Sequence, residues 1–307
     1  MTKQDAINLL TQKDQLQLLS FYDTLTPEQQ ENLLAQIEGI DWSLLDVLKT
    51  HETVNARGTF APLSAMELSQ IDANRAHLEE VGLQAIREGK VAAVLLAGGQ
   101  GTRLGFDKPK GMYNIGVTRE LYIFECLINN VMEIVKKAGA WIPFYIMTSD
   151  KNYDDTTAFL KEKNYFGYNA KYIHFFKQEM APSVDYNGKL LMEAPDRLSL
   201  SPNGNGGWFS SLCRYGYDKQ MKEAGVEWLT AFAVDNVLQR INDPAFVGAV
   251  IDSGCDCGGM VVRKADPNER VGVLCTEDGK PSIVEYYEMT EDMIHLKELW
   301  CYLKLHV

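Results

Sequence analysis

The sequence predicts an α/β fold: a mostly parallel central sheet with helices on both faces, preceded by a helical N-terminal region. Three observations predict it. From residue 91 onward, apolar runs of strand length alternate with stretches of helical spacing. The run Val91–Leu96 is apolar on both faces, as a strand inside a parallel sheet requires, and it breaks at once into Ala97-Gly98-Gly99. The first 90 residues carry helical spacing and cap signals instead.

In that N-terminal region Leu9, Leu10, Leu16, Leu18 and Leu19 fall on amphipathic spacing. Thr26-Pro27-Glu28 supplies a cap and an N1 proline for a second helix through Leu33, Leu34 and Ile37, which Gly39 ends. A third helix is predicted over 64–89, with Ser64 as cap, Glu67 in capping-box position and Leu68, Ile71, Leu78, Val81 and Leu83 as its apolar face. These helices read as a packing scaffold or as a partner-binding arm. Beyond them come helix 121–138, strand 144–148, helix 154–163, strand 172–176, helix 207–224 and strand 227–234, which ends at Asp235. Strands are predicted at 260–263, 271–275 and 282–286, with Asp278-Gly279 as a hairpin turn. The expected domains are therefore 1–90, helical, and 91–307, which carries the site.

The break after Leu96 is the chemical signal. The end of a buried parallel strand is where open α/β sheets bind ligands. Gly98, Gly99, Gly101 and Gly105 let the main chain approach a ligand and turn N–H groups toward phosphate oxygens, while Arg103 and Lys110 add positive charge. A dinucleotide fingerprint fails, because the glycines are one residue too widely spread and Pro109 falls where its helix would run. A Walker A loop fails as well, for want of Gly-Lys-Ser/Thr. What remains suits a triphosphate.

Composition narrows the class. A net charge of −12 argues against a nucleic-acid surface, so any basic site must be local. Six cysteines form no disulfide framework, the opening MTKQDAINLL lacks a signal sequence, and no apolar run approaches a membrane span. A cytoplasmic protein is expected. Cys255-x-Cys257 has no second pair and reads as two reduced thiols, and His174 reads as a buried core histidine. The sequence specifies no oligomeric state.

At this point the residues resemble the eukaryotic-type UDP-sugar pyrophosphorylases, most closely the UDP-N-acetylglucosamine pyrophosphorylase branch. The blocks are LAGGQGTRLG (96–105), PKGMY (109–113), IMTSD (146–150), FFKQEM (175–180), SPNGNGG (201–207), VDN (234–236) and VEYYE (284–288). The resemblance implies a Rossmann-like nucleotidyltransferase fold and transfer of uridylyl from UTP to a hexose 1-phosphate, with release of pyrophosphate. N-acetylglucosamine 1-phosphate is favoured, followed by glucose 1-phosphate. Such a reaction needs two anions brought into line and neutralised, with no covalent intermediate on the protein.

The resemblance assigns phosphate contacts to Arg103 and Lys110, UTP binding to Gly101 and Thr102, main chain around the uridine to Leu96, Ala97, Gly98 and Gly99, and uracil contacts to Gln178 and Gly204. Asn205 and Glu285 fall on sugar-binding positions. Two departures adjoin them, Asn203 for the family's aspartate and Tyr287 for its serine. Asp235, at the end of an apolar run, is the candidate Mg²⁺ ligand; by itself it reads equally as a helix cap. Mg²⁺ keeps several waters, so one carboxylate plus phosphates is enough.

The family's later sugar-binding asparagine and phosphate-binding lysine have no recognisable counterpart after VEYYE. The expectation is a frameshift between Met289 and Glu298 that truncates the protein, because ELWCYLKLHV read one base later can give the aromatic, glycine and asparagine pattern due there. Three readings follow: a uridylyltransferase, a UTP-binding or UDP-sugar-binding remnant with little turnover, or an α/β enzyme of another kind such as a nicotinamide dehydrogenase.

Overall fold

The computed structural model describes residues 1–43, 45, 58–63, 65–266 and 268–289. Ser64 and the end of the chain from Thr290, where the frameshift is expected, lie outside the described residues. In chain order the elements are α1 (Lys3–Gln12), α2 (Pro27–Glu38), β1 (Phe60–Pro62), α3 (Leu68–Arg87), β2 (Val91–Leu96), α4 (Ile123–Ala138), β3 (Phe144–Thr148) and α5 (Tyr153–Glu162). They continue with β4 (Ile173–Lys177), β5 (Met180–Pro182), β6 (Met192–Ala194), β7 (Arg197–Leu198), β8 (Leu200–Pro202), α6 (Trp208–Arg214) and α7 (Tyr217–Glu223). Then come β9 (Trp228–Ala233), α8 (Pro244–Asp252), β10 (Val273–Glu277) and β11 (Lys280–Val284).

The central sheet has four parallel strands in the order β4-β3-β2-β9. Its residues sort by the two-residue period of a strand. Val91, Ala93, Leu95, Phe144, Ile146, Ile173 and Phe232 face the apolar sides of α3, α4, α5 and α8. Ala92, Val94, Leu96, Tyr145, Met147 and Phe176 face Leu212 of α6 and Met221 of α7. Helices therefore cover both faces, and the six residues of β2 are all buried.

The chain divides into two compact units, Met1–Ala56 with Glu179–Gly204, and Arg57–Gln178 with Asn205–Val307. In the smaller unit α1 and α2, each opened by a threonine capping box, enclose Leu10, Leu18, Leu33 and Ile37. Two glutamines bind segments far along the chain to these helices. The Gln15 amide donates to the Gly188 carbonyl (2.8 Å) and accepts from the Leu190 N–H (2.9 Å), and Gln36 does the same with Asp196 and Leu198 (2.9 Å each).

Helix α3, grouped with the N-terminal helices in the sequence reading, packs in the larger unit against α8. A Cβ on Gly82 would stand 2.0 Å from the Pro244 carbonyl oxygen, and one on Gly248 only 1.8 Å from that of Leu78, so the backbones meet where side chains are missing. Its cap is Glu67 rather than the expected Ser64; the Gln70 side chain accepts the Glu67 N–H at 2.8 Å. Three further readings are corrected. The helix expected over 207–224 is broken into α6 and α7 by Gly216, which sits at φ 73°. Residues 260–263 form no strand. Helix α8 carries an Asp243 cap and Pro244 at N1, a signal that the sequence reading passed over. The Asp278-Gly279 turn does join β10 to β11, with both residues at positive φ.

Candidate functional site

The site grows from the carboxyl edge of the parallel sheet. Leu96 accepts the Val234 N–H at 3.1 Å, and the Ala97 N–H donates to Met147 at 2.9 Å, so the chain leaves β2 between β3 and β9. It then pinches into a narrow loop. Gly101 N–H donates to the Lys108 carbonyl (2.9 Å) and Lys110 N–H to that of Gly99 (3.2 Å), with Gln100 opposite Pro109. A Cβ at Gly101 would lie 2.8 Å from the Phe106 carbonyl oxygen, so the pinch needs glycine. Between its arms Thr102–Leu104 makes one 3₁₀ turn, which Gly105 ends at φ 68°.

This leaves donors without partners. The N–H groups of Gly98, Gly99, Gln100, Thr102 and Arg103 make no hydrogen bond among the described residues. Five unpaired donors in six residues are available to an anion. Cations stand around them. Arg103 is exposed and has no ion pair among the described residues, while Lys108 pairs with Asp155 at 3.4 Å. Lys177, at the end of β4, pairs with Asp150 at 3.0 Å, and the hydrogen bond it donates to that carboxylate holds its ammonium pKa above the usual range. In a chain of net charge −12, the basic character is thus local.

Lys110 and Asp235 meet. The Lys110 Nζ lies 3.2 Å from Asp235 Oδ2, although 125 residues separate them. The sheet brings this about: β2 and β9 are neighbours, with Leu96 opposite Ala233, so the segments following each strand emerge side by side. Gln178 follows β4 on the same edge and packs on Gly98, where a Cβ would come within 2.7 Å of its Nε2. Its residue is only 6 % exposed, yet its side-chain amide has no hydrogen-bond partner among the described residues. Its amide atoms are not sealed in, so both its donor and its acceptor are open to a ligand.

Residues 34–299 match the model of the UTP--glucose-1-phosphate uridylyltransferase family. The chain belongs to that family. It is 34 % identical over 315 residues to the UDP-N-acetylhexosamine pyrophosphorylase-like protein 1 of Mus musculus, across 95 % of this chain and 62 % of the relative. It is also 34 % identical to the UDP-N-acetylglucosamine pyrophosphorylase of Saccharomyces cerevisiae, across 98 % of this chain and 67 % of that one. The crystal structure of the Trypanosoma brucei uridine diphosphate N-acetylglucosamine pyrophosphorylase superposes with a TM-score of 0.83 at 28 % identity, covering 99 % of this chain and 66 % of its own. The chain therefore spans about three-fifths to two-thirds of the length of these uridylyltransferase relatives.

The remaining predicted residues stand as follows. The SPNGNGG turn straddles the division of the chain: Gly204, at φ 71°, closes the smaller unit's second segment and Asn205 opens a 3₁₀ turn in the larger. Glu285 follows β11 in the small antiparallel sheet β1-β10-β11, its carboxylate against Gly272, and among the described residues no hydrogen bond or ion pair ties it to the glycine loop. Sequence reasoning missed Asn152. This residue is fully buried, and its Nδ2 donates to the Ala97 carbonyl (3.0 Å) and reaches that of Gly99 (3.5 Å). An asparagine directly before a helix reads as a cap, so nothing in the sequence marked it.

No group of three His, Cys, Asp or Glu side chains able to hold a metal ion occurs among the described residues, and no helix there is long and apolar enough to cross a membrane.

Proposed function

We propose that this chain transfers uridylyl from UTP to a hexose 1-phosphate, giving a UDP-sugar and pyrophosphate, with N-acetylglucosamine 1-phosphate the first candidate and glucose 1-phosphate the second. The observation that carries this reading is the glycine loop: five unpaired N–H donors on a parallel-sheet edge, with Lys110 drawn to Asp235 beside them. The named relatives support the direction of the reading.

The residues divide the work by their chemistry. The free amides of Gly98, Gly99, Gln100, Thr102 and Arg103 hydrogen-bond the triphosphate, and the Arg103 guanidinium and Lys110 ammonium neutralise it as charge shifts toward the leaving pyrophosphate. The unpaired Gln178 amide offers one donor and one acceptor to uracil, next to the main chain of 96–99. Asn205 and Glu285 supply an amide and a carboxylate to the sugar hydroxyls.

Asp235 fits Mg²⁺. Its carboxylate is 61 % exposed on the ligand side of the sheet, and a single carboxylate is the donor set that Mg²⁺ takes when phosphates and water complete its shell. When bound there, the ion would lower the repulsion between two anionic reactants. Lys110, held beside Asp235 in the resting pair, stands where a phosphate would need its charge. The cytoplasm suits this activity, and the five described cysteines are free thiols.

Incubating the chain with UTP, Mg²⁺ and a panel of hexose 1-phosphates, while following pyrophosphate, tests the reading. Release that needs UTP, Mg²⁺ and one acceptor bears it out; no release with any acceptor contradicts it.

A further inference from the structure

Asn152 breaks a local rule, and the site explains why. It occupies the N-cap of α5, where asparagine ordinarily turns its side chain onto the first free N–H groups of its own helix. Here it makes no such bond. Its Oδ1 accepts the Ser149 N–H at 2.7 Å, and its Nδ2 points the other way, at the Ala97 and Gly99 carbonyls. The amide orientation is fixed by chemistry, since an N–H can meet only the oxygen and two carbonyls can meet only the NH₂.

The consequence lies on the opposite side of each peptide plane. In a trans peptide the carbonyl of one residue and the N–H of the next point in opposite directions. With the Ala97 carbonyl held toward Asn152, the Gly98 N–H must point away from it; the Gly99 carbonyl is held by the Lys110 N–H at 3.2 Å and touched by Asn152 at 3.5 Å, so the Gln100 N–H points away from both. Both are among the five donors without a partner. We infer that Asn152 is a positioning residue that aims the Gly98 amide at the phosphates of a nucleoside triphosphate and shares the hold on the Gln100 amide with the Lys110 main chain. Glycines 98 and 99 give the loop its freedom, and Asn152 removes that freedom again without touching the ligand. The inference rests on the uridylyltransferase reading of the same loop.

The test is Asn152→Asp, which keeps the shape but sets a carboxylate against two carbonyl oxygens. Calorimetry with UTP and with uridine, on parent and variant, separates aim from fold, because uridine lacks the groups those amides meet. The variant should bind UTP about tenfold or more weakly while uridine affinity stays within about twofold. Should Asn152→Asp not fold, Asn152→Ser, which leaves room for water, carries the same expectation. UTP affinity equal to the parent's, an equal loss of UTP and uridine, or loss of fold in both variants overturns the role of Asn152 alone. A parent chain that takes up no UTP overturns the uridylyltransferase reading, and this inference with it.

Discussion

Replacing Lys110 by methionine removes the ammonium and keeps the stem that lies against Gly99. Two quantities then separate. In the resting protein the charge pairs with Asp235 at 3.2 Å, but the carboxylate side chain is 61 % exposed and the lysine 23 %. Partly solvated pairs of this kind contribute about 0–1 kcal/mol, so the variant should unfold within about 3 °C of the parent. In the proposed transfer the same ammonium would meet charge that grows on phosphate oxygens. Losing one positioned donor at such a place costs about 3–4 kcal/mol, a fall of roughly 10²–10³ in kcat/KM. Pyrophosphate release at saturating Mg²⁺, beside a thermal melt, reads both. A variant whose kcat/KM stays within about threefold of the parent removes Lys110 from the mechanism. A large drop in melting temperature would show that the resting ion pair, rather than the chemistry, is its purpose.

Three other predictions use the same geometry. Gly101→Ala puts a Cβ 2.8 Å from the Phe106 carbonyl oxygen, so the pinch must open; UTP affinity by calorimetry should fall about tenfold or more, and an unchanged affinity would mean that the pinch does not shape the cradle. Gly82→Ala forces α3 from α8, where the new Cβ would stand 2.0 Å from the Pro244 carbonyl oxygen; urea denaturation should show a loss of about 1–3 kcal/mol or more, and parent-like stability would refute the close backbone contact. His174 is half-buried against the rings of Tyr145 and Tyr217, and burial lowers its pKa from the ordinary 6.5. The unfolded chain then holds more protons at this site, so the contribution of His174 is full above pH 6.5 and is lost as pH falls from there through the lowered folded pKa. Melting temperatures across that range should show a decline that His174→Phe reduces; the same decline in both proteins would assign it elsewhere.

What could be read in the sequence follows from how far each feature reaches along the chain. The buried strand β2 and the glycine loop are contiguous, so Val91–Leu96 and the four glycines after it announce themselves. Lys110 and Asp235 were each singled out, but their meeting depends on β9 lying beside β2, and strand order leaves no local trace. Gln178 was recognised only through the resemblance of its block; its burial and unpaired amide emerge from the fold of β4 against the loop. Asn152 was hidden because its residue type satisfies a commoner local rule, the helix cap, which the structure shows it does not follow. The short strands β5–β8 were missed for a related reason. They hold only two or three residues each, too few for a periodic pattern, and the segment around β6 and β7 is tied down by Gln15 and Gln36 from more than 150 positions away.

The central claim is that the loop from Ala97 to Lys110 grips the phosphates of UTP. Calorimetric titration of the chain with UTP in the presence of Mg²⁺, and with NAD in parallel, tests it most directly. The account predicts that UTP binds, that Lys110→Met weakens it, and that NAD does not bind; binding of NAD without UTP would contradict it.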